Sequence, residues 1–248
     1  YHVKGSTTSV SKIETLKEAG IVPFLVEVTP LETVPFPLEF LDADVLVLNI
    51  PPVRREDIEE YYYIQMKQLL NHIKKSKLRK IVFISSTSVY PDNSNDTSED
   101  QKISPDKPSG KALLKVENSF KEYEGLKVLI LRFAGLFGAD RNPGRFLAEK
   151  RDLKDGNAPV NLVHLDDCVE ITVQFLQKNF YGETFNVCAD KHPLRKDFYQ
   201  KAAMKLGLKP PEFLPTENNK SYKQISNIKL KKALNDYQFI FADPIEAI

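Results

Sequence analysis

The feature that most constrains the fold is a series of short apolar runs that alternate with longer stretches of helical period. The runs end in small polar residues and show no regular exchange of apolar and polar positions. That pattern is typical of strands buried on both faces of a parallel sheet. Five runs predict such strands: IVPFLVEV (21–28), DVLVLNIPP (44–52), KIVFISSTSVY (80–90), KVLILRFAGLFG (127–138) and ETFNVC (183–188).

Helical stretches separate these runs. Between the second and third runs, apolar residues recur every three or four positions within residues 55–77, which predicts an amphipathic crossover helix. A further helix is expected from about Ser9 to Ala19, with Gly20 as its C-terminal stop. Repeated strand, helix, strand units predict an α/β fold, a Rossmann-like doubly wound parallel sheet with right-handed crossovers.

The pattern loosens after about residue 189. Prolines cluster at Pro210, Pro211 and Pro215, and two helical segments flank the stretch PPEFLPTENNKSYKQISN (210–227). We therefore expect a main α/β domain over residues 1–188 and a small C-terminal cap region over residues 189–248. The cap region is not expected to be an independent domain.

Composition excludes several classes of function. The chain has 248 residues, with 35 Lys and Arg against 34 Asp and Glu, which argues against nucleic acid or a membrane surface as the main partner. Two cysteines without C-x-x-C spacing and four scattered histidines predict no metal site and no disulfide scaffold. No apolar run reaches the roughly 18 residues of a membrane span, and no signal-peptide pattern opens the chain, so the cytoplasm is the expected compartment.

In a doubly wound sheet, ligands bind beyond the carboxyl ends of the strands, near the point where the strand order reverses. The residues that end each predicted strand are therefore candidates for contact with a ligand. Each also has an ordinary interpretation, because strand ends need polar or turn-forming residues in any case. The candidates for a bound cofactor are Thr7, Thr8, Ser9, Val28, Asn49, Ile50, Pro51, Ser85, Phe133, Ala134 and Gly135.

Four motifs in order carry a family resemblance. ISSTSVYPD (84–92) is similar to S-S-x-x-V-Y-G, LRFAGLFG (131–138) to L-R-x-x-x-x-Y-G, and NLVHLDDCVE (161–170) to I-H-V-D-D-V; ISNIKLKKAL (225–234) is similar to a late segment of the same family. Over nearly its whole length, the chain resembles the extended short-chain dehydrogenase/reductase superfamily of NAD(P)-dependent nucleoside-diphosphate-sugar epimerases and dehydratases. The resemblance implies a dinucleotide cofactor and a small nucleotide-sugar-like substrate.

One departure from the family concerns its first strand and the G-x-G-x-x-G turn that follows. There, glycine lets the backbone approach the pyrophosphate at a helix N-terminus. YHVKGSTTS (1–9) corresponds to the family's second strand. We therefore expect residues 1–248 to lack the first βα unit of a longer chain and to bind dinucleotide poorly. A rearranged sheet is the alternative.

A second departure concerns the acid/base pair. The family carries Y-x-x-x-K in the stretch that corresponds to DKPSGKALLKVENSF (106–120), where the tyrosine acts as general acid/base and the lysine lowers its pKa. Alignment on Glu117 places Ser109 and Leu113 at these positions. A serine without an adjacent base is not ionised near neutral pH, and leucine supplies no cation. The alternative interpretation makes Ser109 the helix N-cap, with Leu113 on the buried face.

The resemblance leaves Ser86 as a weak catalytic candidate, at the position of the family's substrate-orienting serine or threonine. Tyr90 is expected to be structural. His164, beside Asp166 and Asp167, is expected to cap a helix, since a lone histidine rarely carries catalysis.

The cofactor preference follows from GSTTSVSK (5–12), which offers hydroxyl groups and Lys12 at the end of a strand but no carboxylate. A carboxylate there would accept the 2'-hydroxyl of NAD and repel the 2'-phosphate of NADP. NADP is therefore expected in preference to NAD. The alternative is that Ser9 merely caps the next helix.

Two functions from different classes remain open. The first is an NAD(P)-binding member of the epimerase/dehydratase group with a degraded Tyr-x-x-x-Lys motif; whether it is an enzyme stays open. The second is a non-catalytic NADP-binding redox sensor or regulatory protein. An unrelated flavodoxin-like module is disfavoured, because it would not need the segment ISNIKLKKAL. The oligomeric state is also open, with a homodimer as one candidate.

Overall fold

The computed structural model describes residues 1–31, 35–92, 95–138, 141–215 and 222–248. Part of the proline-rich stretch 210–227, namely residues 216–221, lies outside the described residues. Within the described ranges, no helix combines the length and the apolar character that crossing a membrane requires.

The first two strands form a parallel pair. Strand β1 (Lys4–Thr7) lies beside β2 (Val22–Leu25), and helix α1 (Ile13–Glu18) connects them after a short 3-10 turn. Gly20, at a φ of 73°, follows this helix and provides the left-handed stop that the sequence predicts. The helix is shorter than expected, because residues 10–12 form the 3-10 turn instead of an α-helical turn.

The centre of the molecule is a four-stranded, fully parallel sheet. Its strands are β3 (Leu46–Leu48), β4 (Lys80–Ser86), β6 (Lys127–Phe133) and β9 (Thr184–Val187), in the order β3-β4-β6-β9. The apolar runs predicted these strands because most of their residues lie in the core, although Val47 of β3 is 43% exposed.

Helices cover both faces of this sheet. Helix α2 (Ile58–Lys74) packs on α3 (Pro108–Lys121), and Phe120 of α3 stacks edge-on against Phe83 of β4. Phe175 of α5 (Leu165–Leu176) contacts Phe185 of β9. Phe83 pairs with Ile130 of β6, and Phe185 pairs with the next residue, Leu131. Because successive residues of a strand point to opposite faces, Phe83 and Phe185 lie on opposite faces of the sheet. The predicted doubly wound α/β fold is confirmed.

Short elements complete the chain and join its C-terminal part to the earlier residues. Two further parallel strand pairs and three short helices belong to this group. They are β5 (Asn95–Thr97) with β10 (Lys223–Ile225), β7 (Gly135–Phe137) with β8 (Leu162–His164), α4 (Gly144–Leu147), α6 (Arg195–Lys205) and α7 (Ile228–Ala233).

The cap region is therefore tied closely to residues outside its predicted bounds. Helix α4 packs on α6, and the β5 and β10 pair links residues that are far apart in the sequence. The division at residues 188 and 189 stays a prediction.

The prediction that Ser109 is the N-cap of α3 is wrong. Lys107 occupies the N-cap position, and Pro108 is the first helical residue. Proline suits this position because its φ is already helical and its missing N–H would have no partner there. The helix consequently begins two residues earlier than expected. Leu113 lies on the buried face as predicted, together with Val116 and Phe120 in the core.

Candidate functional site

A row of polar side chains crosses the sheet near the carboxyl ends of its strands. The register pairs Ser85 of β4 with Arg132 of β6, and Arg132 with Asn186 of β9. Side chains of paired residues point to the same face of a sheet, and here this is the face that α3 covers. Three polar residues from three strands therefore lie side by side beneath a helix. All three are buried.

Glu117 of α3 completes the row from above. Its Oε1 accepts hydrogen bonds from Ser85 Oγ at 2.6 Å and from Arg132 Nε at 3.0 Å. Its Oε2 accepts from Arg132 Nη2 at 2.5 Å. The guanidinium and the carboxylate thus form a bidentate pair, and both side chains are almost wholly buried, at 2% and 0% exposure.

Tyr90 extends the row towards the edge of the sheet. Its hydroxyl accepts from Arg132 Nη1 at 2.7 Å and donates to Asn186 Oδ1 at 2.9 Å. The backbone N–H of Asn186 in turn donates to Glu99 Oε1 at 2.7 Å. We call Ser85, Tyr90, Glu117, Arg132 and Asn186 the buried polar row.

The environment fixes the charges in this row. Burial works against the charge of Arg132, but its hydrogen bonds and charge interaction with Glu117 prevail, so the pKa of Arg132 is raised. Burial raises the pKa of the Tyr90 hydroxyl, although Arg132 opposes this shift. Tyr90 is therefore held in its neutral form, as part of the framework. This agrees with its expected structural role.

Ser86 lies one residue beyond Ser85 and faces the opposite side of the sheet. Its Oγ accepts a hydrogen bond from Ser88 N at 3.1 Å, which caps the 3-10 turn Thr87–Val89. The side chain is half-buried. Because the bond to Ser88 uses only an oxygen lone pair, the hydroxyl proton remains able to donate to a ligand.

The start of α3 lies directly against this turn. A side chain on Gly110 would place its Cβ 2.3 Å from the carbonyl oxygen of Ser88, so only glycine permits this contact. The half-buried Ser109 is therefore brought into the neighbourhood of the turn that follows Ser86.

Leu113 lies one turn further along α3 and is 4% exposed within the main core. The lysines of this helix point elsewhere. Lys115 Nζ lies 2.9 Å from Glu60 Oε2 and over the ring of Tyr63, while Lys111 Nζ lies 3.9 Å from Glu59 Oε1. Both lysines are about half exposed. They form a solvated edge of the helix.

The candidate cofactor residues lie at the strand ends as the topology requires. At β1, Thr7 Oγ1 accepts from Ser9 N at 3.1 Å, and the Thr8 side chain is exposed. The carbonyl oxygen of Val28, beyond β2, accepts from Gln65 Nε2 at 2.7 Å. That of Ile50, beyond β3, accepts from Tyr62 OH at 2.6 Å.

The remaining candidates divide by exposure. Asn49 and Pro51 are exposed beyond β3. Phe133 and Ala134, at the end of β6, are buried, while Gly135 is exposed and donates its N–H to the carbonyl oxygen of Asn161. Ser85 is enclosed in the buried polar row. The structure thus brings these candidates to the carboxyl ends of the strands.

Two parts of a dinucleotide fit these residues differently. The hydroxyl groups at the end of β1 suit a ribose phosphate, because hydroxyls donate hydrogen bonds to phosphate oxygens. The pyrophosphate has no matching turn, since the ten glycines of the sequence include no G-x-G-x-x-G spacing.

His164 is the N-cap of α5, as expected. Its Nδ1 accepts from Asp166 N at 3.2 Å. The neighbouring Asp167 has a role that the sequence did not reveal. It is fully buried and accepts from Tyr237 OH at 3.1 Å and from the backbone N–H groups of Ile240 and Phe241. Asp167 thus fastens the C-terminal segment to α5.

Neither cysteine is placed for nucleophilic chemistry. Cys168 and Cys188 are free and buried, and burial raises the pKa of each thiol to about 12. Across the ranges that the structure describes, no group of three or more His, Cys, Asp or Glu side chains could hold a metal ion.

Comparison with known proteins places these features in context. A family model described as "NAD dependent epimerase/dehydratase family" matches residues 48–188. Protein YeeZ of Escherichia coli K12 is 34% identical over 247 residues, covering 99% of this chain and 89% of that protein. A Bacillus subtilis protein named "Uncharacterized UDP-glucose epimerase YtcB" is 27% identical over 136 residues, covering 49% of this chain and 43% of that protein.

Solved structures share the fold. UDP-glucuronic acid 4-epimerase from Bacillus cereus, in complex with NAD, superposes with a TM-score of 0.74 at 22% identity. The match covers 99% of this chain and 86% of that one.

Proposed function

Because the chain belongs to the NAD dependent epimerase/dehydratase family, we propose that it binds NAD(P) and a nucleotide-sugar-like ligand without the family's usual acid/base pair. The observation that carries the proposal is the environment of α3. Leu113 is 4% exposed among apolar side chains, so this position supplies neither a cation nor a hydrogen-bond donor. Ser109 has no ammonium one turn away to lower its pKa.

The ligand class is supported by the relatives. The Bacillus cereus structure is titled as a UDP-glucuronic acid 4-epimerase with NAD, and the Bacillus subtilis relative is named as a UDP-glucose epimerase. For this chain we propose a nucleotide sugar with its sugar near Ser86. The free proton of the Ser86 hydroxyl would donate to a sugar oxygen and orient the ring. Ser86 thus positions the ligand but transfers no proton in this proposal.

We propose that NADP is preferred to NAD. The end of β1 presents hydroxyl groups at Thr7 and Thr8, and the exposed Thr8 is free to face a 2'-phosphate. We also propose that residues 1–248 bind either dinucleotide weakly, because they contain no G-x-G-x-x-G turn for the pyrophosphate.

Ligand-observed saturation-transfer NMR tests this proposal, because it detects weak binding. We expect a stronger signal from NADP than from NAD, and we expect Thr8→Asp to reverse that order by placing a carboxylate beside the 2'-phosphate. Thr15→Asp, an exposed threonine of α1 that is not among the strand-end candidates, is the matched control and should leave the order unchanged. An unchanged order in Thr8→Asp would remove this residue from the cofactor site. A micromolar Kd for NADP would contradict the weak binding.

A second candidate function is a non-catalytic NADP-binding sensor. The burial of Leu113 favours it, because a core leucine leaves the helix with no remnant of the proton-transfer pair. Measured turnover of a nucleotide sugar distinguishes the two candidates. A sensor shows none, whereas an enzyme converts the sugar.

A further inference from the structure

The C-terminal part of the chain reaches the turn after β4 through Lys223. Lys223 Nζ donates to the carbonyl oxygen of Tyr90 at 2.8 Å and lies 2.9 Å from Asp92 Oδ1. The Lys223 side chain is only 12% exposed. An ammonium in such a place needs partners of this kind, because burying an unpaired charge is costly. The contact joins residues that are 133 positions apart in the sequence.

The strand that carries Lys223 is itself held in place. The register of β10 and β5 pairs Lys223 with Asn95. On the other side, Asn161 Nδ2 donates to the carbonyl oxygen of Lys223 at 2.9 Å, and Asn161 Oδ1 accepts from Ile225 N at 2.8 Å. The backbone of Lys223 is thus bonded to two earlier segments, so its side chain extends from a fixed base.

A proline interrupts the segment in which the turn after β4 ends. Pro91 has no N–H, so a continuous series of backbone donors cannot hold this segment. Asp92 N donates to Asp106 Oδ2 at 3.2 Å. The Tyr90 hydroxyl is bonded in the buried polar row, but those bonds fix the tip of the side chain rather than the backbone carbonyl. Lys223 therefore sets the direction of that carbonyl.

The contact with Asp92 is an ion pair at neutral pH. Burial acts to raise the pKa of Asp92, but the hydrogen bond and the charge of Lys223 prevail, so the pKa is lowered. Lys107, the N-cap residue of α3, approaches the same carboxylate, with its Nζ 3.5 Å from Asp92 Oδ2. Asp92 thus links the C-terminal part of the chain to the start of α3.

The turn transmits the position of Tyr90 to Ser86. Tyr90 N donates to the carbonyl oxygen of Thr87 at 3.2 Å, and Ser88 N donates to Ser86 Oγ at 3.1 Å. Because the turn has only three residues, a shift of Tyr90 also shifts the N–H of Ser88. The orientation of the Ser86 hydroxyl, which accepts from that N–H, follows.

We propose that Lys223 is a positioning residue of the sugar site, by which we mean the ligand position near Ser86. It holds the turn Thr87–Val89 in the geometry that lets the Ser86 hydroxyl donate to the ligand. The inference rests on the function proposed above, because it concerns that ligand. Binding of a nucleotide sugar then depends on the C-terminal part of the chain through a residue that does not itself touch the sugar.

The first test needs no ligand. Lys223→Met keeps an unbranched side chain and removes the ammonium. Lys229→Met is the matched control, because Lys229 Nζ donates to Glu183 Oε2 at 2.7 Å, at the amino end of β9. We measure by NMR the exchange of the Ser88 amide proton with water. We expect about tenfold faster exchange in Lys223→Met, because a hydrogen bond from a charged group is worth at least that factor, and unchanged exchange in the control.

The second test measures the affinity for UDP-glucuronic acid by saturation-transfer titration. We expect Ser86→Ala to lower the affinity about tenfold, which corresponds to one hydrogen bond. Lys223→Met should lower it about fivefold, since the variant can lose no more than that bond. Adding Lys223→Met to Ser86→Ala should cause no further loss, because the lysine acts through the serine. Lys229→Met should bind as the parent does.

The outcomes separate this inference from the proposed function. Equal binding by the parent and Ser86→Ala, or no binding by either, contradicts the sugar site, and the Ser88 exchange rate then decides on Lys223. The inference itself is overturned by an unchanged exchange rate of the Ser88 amide in Lys223→Met. It is also overturned if Ser86→Ala weakens binding while Lys223→Met does not, or if the losses from the two substitutions add.

Discussion

At the scale of single residues, the buried ion pair of Arg132 and Glu117 is the main determinant of the geometry of this site. The pair is hydrogen-bonded to Ser85 and Tyr90, so few polar atoms in it are left without a partner. Such a pair contributes little net stability relative to apolar residues, but removing one partner leaves an uncompensated charge in the core. Its effect is therefore to fix positions. It holds α3, and with it Ser109, against the ends of β4 and β6.

Glu117→Gln tests this description. The change leaves the Arg132 guanidinium buried without a counter-charge, and we expect a loss of about 3–5 kcal/mol in the free energy of unfolding, measured with urea. Glu60→Gln makes the same substitution in the exposed pair with Lys115 and should cost less than about 1 kcal/mol. Equal losses in the two variants would contradict the description.

Glu99 gives a prediction about pH. Burial raises its pKa above the ordinary value of 4.5, although the N–H of Asn186 opposes the shift. A carboxyl group whose pKa is raised in the folded state contributes its full stability below pH 4.5, and that contribution is lost as the pH rises through the folded pKa.

Glu99→Gln keeps an acceptor for Asn186 N and removes the charge. We therefore expect the free energy of unfolding of the variant to fall less than that of the parent between pH 4.5 and pH 7. Urea titrations at several pH values measure this difference. Parallel curves for the two proteins would show that Glu99 does not titrate as described.

At the scale of elements, the contact between α3 and the turn after β4 sets the geometry of the candidate site. Gly110 allows the helix to approach the Ser88 carbonyl, and Pro108 starts the helix at that point. A helix with Ser109 as its N-cap, as the capping preference predicted, would bring a different turn of α3 to the end of β4. The fixed φ of Pro108, rather than the capping preference of Ser109, determines where the helix begins.

Gly110→Ala would place a Cβ 2.3 Å from a backbone oxygen, which cannot move without shifting the turn. We expect a loss of about 1–3 kcal/mol in the free energy of unfolding, as for other overpacked sites. Ser109→Ala, one residue earlier, is the control. Since Ser109 is not the N-cap, its replacement should cost no more than about 0.5 kcal/mol. A larger cost for Ser109→Ala than for Gly110→Ala would reverse our account of the helix start.

At the scale of the whole molecule, the sequence predicts the sheet well because buried parallel strands and amphipathic helices leave strong periodic patterns. The five residues Ile58, Tyr62, Met66, Leu69 and Ile73, which follow the helical period of α2, are all buried. The sequence did not predict the buried polar row, because Ser85, Arg132 and Asn186 are far apart in the chain and only the strand register makes them neighbours.

The pairing of β5 with β10 escaped prediction for a similar reason. Each of these strands has three residues, too few to show a period of two, and they pair across more than half of the chain. The sequence indicated Asp167 only as a neighbour of His164. Its bonds to Ile240 and Phe241 depend on where the C-terminal segment returns, which no local pattern reveals.

The central claim is that Ser109 and Leu113 do not perform the family's proton transfer. Conversion of UDP-glucose and UDP-glucuronic acid in the presence of NAD or NADP, compared between the parent protein and Ser109→Ala, tests it most directly. We predict that the substitution leaves the rate of conversion unchanged. For a sensor this rate is zero in both proteins. For an enzyme in which a residue other than Ser109 transfers the proton, it equals the rate of the parent. A parent that converts either sugar nucleotide, and loses this activity in Ser109→Ala while its Tm stays the same, would contradict the claim.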